Sequence, residues 1–423
     1  QSCIVWQHSF WVSICTALHR VCRVRPFSPM TDIDRLIQQN RNTPVDRLAL
    51  QLAGRADMDV PFVLQQVEGW QRLRSKVPSW AAVDGLHYPH RLALEQCSGE
   101  PAARHKAQLV ERLIPSADDR RSMADLTGGL GVDFSFVAPL FAKATYVERQ
   151  ESLVETARHN FPLLGLRHAV TVCADGVDFL RAMEPVDLLF LDPARRDSAG
   201  RKTVLIEDCE PDVCALQQLL LEKAAWVVLK LSTMLDIASA LRSLCHVSEV
   251  HVVSVGGECK DLLLVLRRGF TGEPVVHATE GGTDFAFTPG EESEAHCALA
   301  ERVGAYLYEP GPALLKAGAF QLVGTRYGLQ KLHPNSHLYT SDVYCPDFPG
   351  RAFKVEGVGG FGKRDVKTLK QTLTQANLTV RNFPASVDTL RRKLKLAEGG
   401  STYLFATTLQ PDEHVLVRCT KVP

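Results

Sequence analysis

Residues 122–150 read SMADLTGGLGVDFSFVAPLFAKATYVERQ. The run at 122–126 predicts a strand that closes near Asp125. Gly128, Gly129 and Gly131 then permit a tight turn with exposed backbone N–H groups before a helix. A second apolar run at 143–147 makes the whole stretch strand, turn, helix and strand. Further runs lie at 169–173, 186–191, 224–230, 248–255 and 262–268. The first five runs are separated by segments long enough for crossover helices, which implies a parallel sheet covered on both faces. Only GGECKD separates the last two, and that length suits an antiparallel hairpin. The expected fold is therefore multidomain α/β, centred on a seven-stranded Rossmann-like, doubly wound sheet with an antiparallel edge.

A chain of 423 residues exceeds the roughly 250 to 300 that one core usually serves, so flanking modules are expected. With 45% hydrophobic and 23% charged residues it has the composition of a folded chain. Residues 1–29 do not join the pattern that follows and read as a non-native or upstream extension ahead of Met30; their apolar run from Phe10 to Leu18 is too short to span a bilayer. Residues 30–117 read as a helical module. Within it, TPVDRLALQL opens with Thr43 as cap and Pro44 at the first helical position, and Asp59 repeats the device before VPFVLQQVEGWQRL. The sheet domain is expected over 118–272, and a linker and connecting module over 273–350. A small α+β domain of order β-α-β-α-β-β is expected over 351–423.

Net charge is zero over the chain, but residues 351–396 carry 11 Lys or Arg against three acids, a local charge of 11 − 3 = +8. Lys363, Arg364, Lys367 and Lys370 fall near one face of one expected helix, and Arg391 and Arg392 lie on the next. Arg381 sits between them beside Phe383. Such surfaces bind phosphate backbones in a salt-sensitive way. A solvated helix face is the bland alternative, and Phe383 reads more readily as core than as a stacking ring. The 12 cysteines show no CxxC pair and no zinc spacing, which fits a reducing, cytoplasmic setting without a structural metal.

The sheet's chemistry is concentrated after its strands. Asp125 precedes a G-G-x-G turn, where an acid disfavours pyrophosphate but suits a cationic or amino-acid-bearing cofactor. Glu148 follows the second strand, where it could accept ribose hydroxyls, a role that a nicotinamide dinucleotide would also need. Asp175 follows the third, within reach of an adenine edge, and Asp192 with Pro193 follows the fourth.

The order D-x-x-G-G-x-G, V-E-R, A-D-G and D-P-A-R resembles the class I S-adenosylmethionine-dependent methyltransferases. DLTGGLGVD, FLDPARRD, KLSTMLDI, YLYEPGPALLKAGAF, KLHPNSHLYTSD and RNFPASVDTLRRKLKL are similar, more closely, to a bacterial methyltransferase family with a THUMP-like C-terminal domain. The resemblance runs from about Met30 to Pro423. It implies S-adenosylmethionine as cofactor and a C-terminal region related to RNA-binding modules. By position, Asp125, Gly129 and Gly131 would line the methionine end, Glu148 the ribose and Asp175 the adenine. Thr127, Gly128, Arg149 and Gly176 complete the expected cofactor-binding set.

In similar nucleic-acid methyltransferases the residues after the fourth strand orient a base amine, which makes Asp192 and Pro193 the expected catalytic pair. D-P-A-R also resembles RNA 5-methyluridine methyltransferases, but those need a cysteine shortly after the fifth strand. LKLSTMLD offers Ser232 and Thr233 there, which puts carbon methylation in doubt. Cys97 and Cys259 read as buried hydrophobes before nucleophiles. Arg195 and Arg196 could clamp a phosphate or carboxylate, and Lys230 at the end of the fifth strand faces the substrate side. The resulting expectation is base-nitrogen methylation of rRNA or tRNA. A small-molecule methyltransferase and a non-catalytic RNA-binding scaffold are the alternatives, and an NAD-dependent oxidoreductase is disfavoured by Asp125.

Overall fold

The computed structural model describes residues 31–195 and 205–422. Four helices lead the chain: α1 (Asp32–Asn40), α2 (Val45–Leu52), α3 (Val60–Leu73) and, after two short turns of helix, α4 (Glu100–Leu113). Asp59 caps α3 by accepting the Phe62 N–H at 3.0 Å, with Pro61 in the first turn. At α2 the cap lies one residue later than the sequence suggests: Pro44 holds the cap position and no side chain closes the turn. Proline's fixed φ suits either place, and its ring leaves no N–H to satisfy.

All seven expected strands form: β1 (Ser122–Asp125), β2 (Lys143–Glu148), β3 (Ala169–Cys173), β4 (Val186–Leu191), β5 (Ala224–Leu231), β6 (Val247–Val255) and β7 (Glu258–Arg267). Two more extend the sheet, β8 (Val275–Glu280) and β9 (Thr283–Phe287), so the order is β9-β8-β6-β7-β5-β4-β1-β2-β3. Strands β1 to β5 run parallel, and β7 enters antiparallel between β5 and β6. The turn from β6 to β7 uses Gly256 and Gly257 at φ +63° and +80°, which the right-handed twist of a hairpin favours. Strands β8 and β9 had read as linker because Gly281 and Gly282 and the polar residues around them dilute their apolar pattern.

The sheet buries both faces, as parallel sheets must. One face packs Leu189, Leu229 and Leu264 against Leu180, Val213 and Leu220 of the covering helices. The other packs Phe190, Val228 and Leu263 against Phe134, Phe161 and the Leu109, Val110 and Leu113 of α4. Helix α4, which the sequence groups with the leading helices, is thus one of the helices that close the sheet.

Beyond residue 300 a second, seven-stranded sheet forms from β10 (Tyr306–Pro310), β11 (Gln330–Lys331), β12 (Tyr339–Ser341), β13 (Gly350–Gly360), β14 (Asn377–Arg381), β15 (Thr402–Leu409) and β16 (Glu413–Lys421). Its order is β11-β12-β10-β13-β16-β15-β14. The expected β-α-β-α-β-β run is present from β13 to β16, with helices Lys363–Thr372 and Val387–Leu394 between its first three strands. The connecting segment supplies the other three strands and is continuous with this sheet. Among the described residues no helix is long and apolar enough to cross a membrane.

Candidate methyl-transfer site

The carboxyl ends of β1 to β5 bring the candidate residues to one rim. At β1, Asp125 is buried and accepts the Thr127 N–H at 3.0 Å. Burial pushes its carboxyl up to about 8, with Asp133, Asp192 and Glu148 adding repulsion. The turn that follows is built on close approach. A Cβ at Gly128 would stand 2.1 Å from the Tyr146 ring, and Gly131 takes φ +85° as it enters helix Val132–Val137. The Tyr146 hydroxyl donates to the Gly129 carbonyl, which ties the turn to β2.

Glu148, buried at the end of β2, accepts the Gly129 N–H at 2.9 Å on one oxygen and the Gln150 N–H at 2.9 Å on the other. Each carboxylate oxygen keeps a lone pair for a hydroxyl donor. Asp175 caps helix Gly176–Ala182 by accepting from Val177 and Asp178 at 2.9 and 3.2 Å. Gly176 packs on the Leu126 carbonyl so closely that a Cβ would reach 2.3 Å from its oxygen. The Arg149 guanidinium is exposed and pairs at 3.0 Å with Glu210, which lies opposite Ala194 just beyond Asp192 and Pro193.

After β4, the Asp192 N–H donates to the Thr127 hydroxyl at 2.6 Å, and Pro193 is buried behind it. The Asp192 carboxylate is 41% exposed and binds Lys230 Nζ at 2.5 Å through Oδ2. Lys230, near the end of β5, also lies 3.6 Å from Asp133. Burial opposes its charge, but Asp192, Asp133 and Asp261 outweigh burial and raise the ammonium above the ordinary lysine value. Lys230 is therefore a fixed cation and not a proton acceptor at neutral pH. Asp236, five residues after the end of β5, caps helix Ile237–Ser243 by accepting the Ser239 N–H at 2.6 Å.

Three residues of this rim escaped the sequence reading: Lys106, Asp133 and Asp261. Lys106 sits on the apolar face of α4, between Ala102 and Ala103 on one side and Leu109 and Val110 on the other. A lysine interrupting an otherwise apolar helix face was the available signal. Asp133 lies inside the glycine stretch itself, two residues after Gly131.

Of the remaining candidates, the backbone of Arg195 pairs with Cys209, its side chain lies outside the described residues, and so does Arg196. Cys97 is half-buried with its thiol raised by burial, as is that of Cys259, so neither is poised as a thiolate. Among the described residues Glu249, His251 and His277 gather potential metal donors. The two imidazoles lie 4.5 Å apart and within 2° of parallel, so their in-plane lone pairs do not converge, and Arg112 occupies Glu249 at 3.0 Å.

In the second sheet, Lys363, Arg364, Lys367 and Lys370 are exposed along one helix, and Arg392 is exposed on the next. Arg391 is only partly exposed and lies 3.8 Å from Glu398. Arg381 is engaged with the buried Glu309 at 3.0 Å, alongside Arg351. A carboxylate buried in this sheet needs cationic partners, and Arg381 supplies one of them. Phe383 packs against Phe361 and His414 as part of the small core.

Comparison with known proteins fits this geometry. Residues 306–349 match a ferredoxin-like domain family and residues 350–421 a THUMP domain-like family. Both segments belong to the one sheet of β10 to β16. A crystal structure from Porphyromonas gingivalis W83, assigned as a methyltransferase, superposes with a TM-score of 0.82 at 37% identity, covering 92% of this chain and 98% of that one. The chain belongs to that methyltransferase family. An uncharacterized S-adenosylmethionine-dependent methyltransferase of Mycobacterium tuberculosis, found in strains CDC 1551 and H37Rv, is 26% identical over 306 residues, which cover 72% of this chain and 80% of the relative. The protein is thus an S-adenosylmethionine-dependent methyltransferase with a THUMP-like C-terminal domain.

The rim fits that cofactor chemically. Asp133 and Asp192 have lysine partners, but among the described residues no cationic side chain pairs with Asp125 or Glu148. A ligand carrying an ammonium and a sulfonium supplies the missing positive charge, and the open lone pairs of Glu148 suit a ribose diol.

Proposed function

We propose that this methyltransferase modifies a base nitrogen of rRNA or tRNA. The observation that carries this reading is Asp192: a carboxylate after β4, paired through Oδ2 with Lys230 at 2.5 Å and still 41% exposed. A planar base amine meets such a carboxylate through an N–H donor, which holds the amine nitrogen in one orientation.

When bound, S-adenosylmethionine supplies an electrophilic methyl group. Asp125, with Thr127, Gly128, Gly129 and Gly131, holds the methionine end, Glu148 the ribose, and Asp175 with Gly176 the adenine side. Asp192 orients the acceptor and receives the proton that a methylated, cationic nitrogen must shed. Lys230 holds that carboxylate in place through Oδ2. Pro193, buried next to Asp192, restrains the backbone that carries it. The base reaches this rim only after leaving its stack or from a single-stranded region.

The exposed Lys363, Arg364, Lys367, Lys370 and Arg392 of the THUMP-like domain support an RNA acceptor over a small molecule, because several phosphate contacts give affinity with little sequence demand. The proposed setting is the cytoplasm, where the chain's cysteines stay reduced.

The test is transfer of labelled methyl from S-adenosylmethionine to RNA from cells lacking this protein, with a small-metabolite fraction alongside and Asp192→Ala as control. Label in RNA that depends on Asp192 supports the reading. Label only in metabolites, or RNA binding without transfer, overturns it.

A further inference from the structure

Lys106 is among the most buried side chains in the molecule, with 1% exposure, and it carries a charge. Its Nζ lies 2.5 Å from Asp261 Oδ2 on β7, 2.9 Å from Asp133 Oδ1 and 3.1 Å from Ser98 Oγ. Ser98 in turn donates to the other Asp133 oxygen at 2.7 Å. Asp133 Oδ2 lies 3.6 Å from Lys230, whose ammonium binds Asp192. The charges therefore alternate without a break: Asp261, Lys106, Asp133, Lys230, Asp192. The first four are at most 13% exposed, and the chain reaches solvent at Asp192, beside the acceptor.

Burying such a chain costs more than filling the same space with apolar side chains, and buried ion pairs are weak contributors to net stability. Helix α4 covers the sheet with Leu109 and Val110 at neighbouring positions, and a leucine or methionine at 106 would serve packing as well. What the charged chain adds is a fixed position for the Lys230 ammonium.

We propose that Lys106 is a positioning residue for methyl transfer: held by Asp261, it anchors Asp133, and Asp133 with Asp192 fixes Lys230 against the carboxylate that meets the acceptor. This rests on the role given to Asp192 above. The leading helical segment thereby contributes to the active site through α4, across 155 positions of sequence to Asp261.

The consequence is readable in pH. The ionisable groups facing Asp133 are Lys106 from α4, Lys230 from β5, Asp125 from β1, Cys97 before α4, and Asp192 and Asp261 through the two lysines. Burial alone would raise the Asp133 carboxyl, and Lys106 and Lys230 bring it below the ordinary Asp value. Without Lys106, burial prevails and Asp133 takes up a proton as pH falls. A neutral Asp133 no longer restrains Lys230.

The experiment uses the full chain as wild type, Lys106→Met, Lys106→Arg and Lys106→Met/Asp133→Asn. Methyl transfer to RNA is followed from about pH 5.5 to about pH 8.5 at saturating cofactor. In parallel, a pulse of acetic anhydride with mass spectrometry reads the reactivity of Lys230, which needs no acceptor. Lys106→Met is expected to bind cofactor as wild type does. Its kcat should fall roughly 10- to 100-fold at the acid end and recover as pH rises, as expected for a misplaced catalytic group. The double variant should be slow at every pH, Lys106→Arg should retain most activity, and Lys230 acetylation should rise in Lys106→Met. Should Lys106→Met not fold, Asp261→Asn, which loosens Lys106 from its other side, carries the same expectations.

A wild-type pH profile in Lys106→Met, or a uniform loss at all pH values with Lys230 reactivity unchanged, overturns the proposal. If the wild type transfers nothing to RNA, the RNA reading fails on its own, and the acetylation arm still decides whether Lys106 fixes Lys230.

Discussion

Cofactor affinity should depend on pH because of Asp125. Its carboxyl is raised to about 8 by burial and by the surrounding acids, so below that pH the carboxyl carries a proton in the empty protein. If Asp125 holds the ammonium end of S-adenosylmethionine, the bound state requires the carboxylate. Binding then releases one proton. The sign follows directly: a raised carboxyl stays protonated as pH falls, so affinity is lost toward acid and gained toward neutrality. With a midpoint near 8, affinity should weaken about tenfold per pH unit, about 1.4 kcal/mol each, so roughly tenfold at pH 7 and a hundredfold at pH 6 relative to the fully ionised site. The ligand's own amino group titrates near 8, so the informative window lies below about pH 7.5. Calorimetry in two buffers of different ionisation enthalpy measures both the affinity and the released proton. Asp125→Asn should bind more weakly near pH 7.5 and lose the slope. A flat affinity between pH 6 and 7.5, or an enthalpy independent of buffer, would refute the assignment of Asp125 to the ammonium.

Two further outcomes follow from local geometry. Gly128→Ala places a methyl 2.1 Å from the Tyr146 ring, so the turn must move; a stability loss of about 1–3 kcal/mol in denaturant titration and weaker cofactor binding are expected. Replacing Lys363, Lys367 and Lys370 with alanine should leave cofactor affinity unchanged. The same variant should reduce the slope of log RNA affinity against log salt by about 2 to 3, measured by filter binding.

Much of the fold was legible because its signals are local. Seven short apolar runs, spaced for crossover helices and ended by GGECKD, gave seven strands in the expected places, since burial on both faces demands continuous apolar stretches. Strands β8 and β9 were not legible, because polar residues within them and the Gly281–Gly282 turn break that continuity. At the rim, Asp125, Glu148, Asp175 and Asp192 come together because acids after successive parallel strands share one edge. Lys106 and Asp261 could not be placed there by spacing, since only the packing of α4 on β7 brings them together. Arg149 and Arg381 carried the right charge at plausible positions, yet Glu210 and the buried Glu309 engage them. Sequence shows the charge and not its partner.

The most direct test of the account is where the methyl group lands. RNA labelled by the wild-type protein is digested to nucleosides and the modified nucleoside identified by mass spectrometry, with Asp192→Ala run in parallel. The account requires the methyl on a base nitrogen and its loss in the variant. A methyl on ring carbon or ribose oxygen, or unchanged labelling by Asp192→Ala, would contradict it.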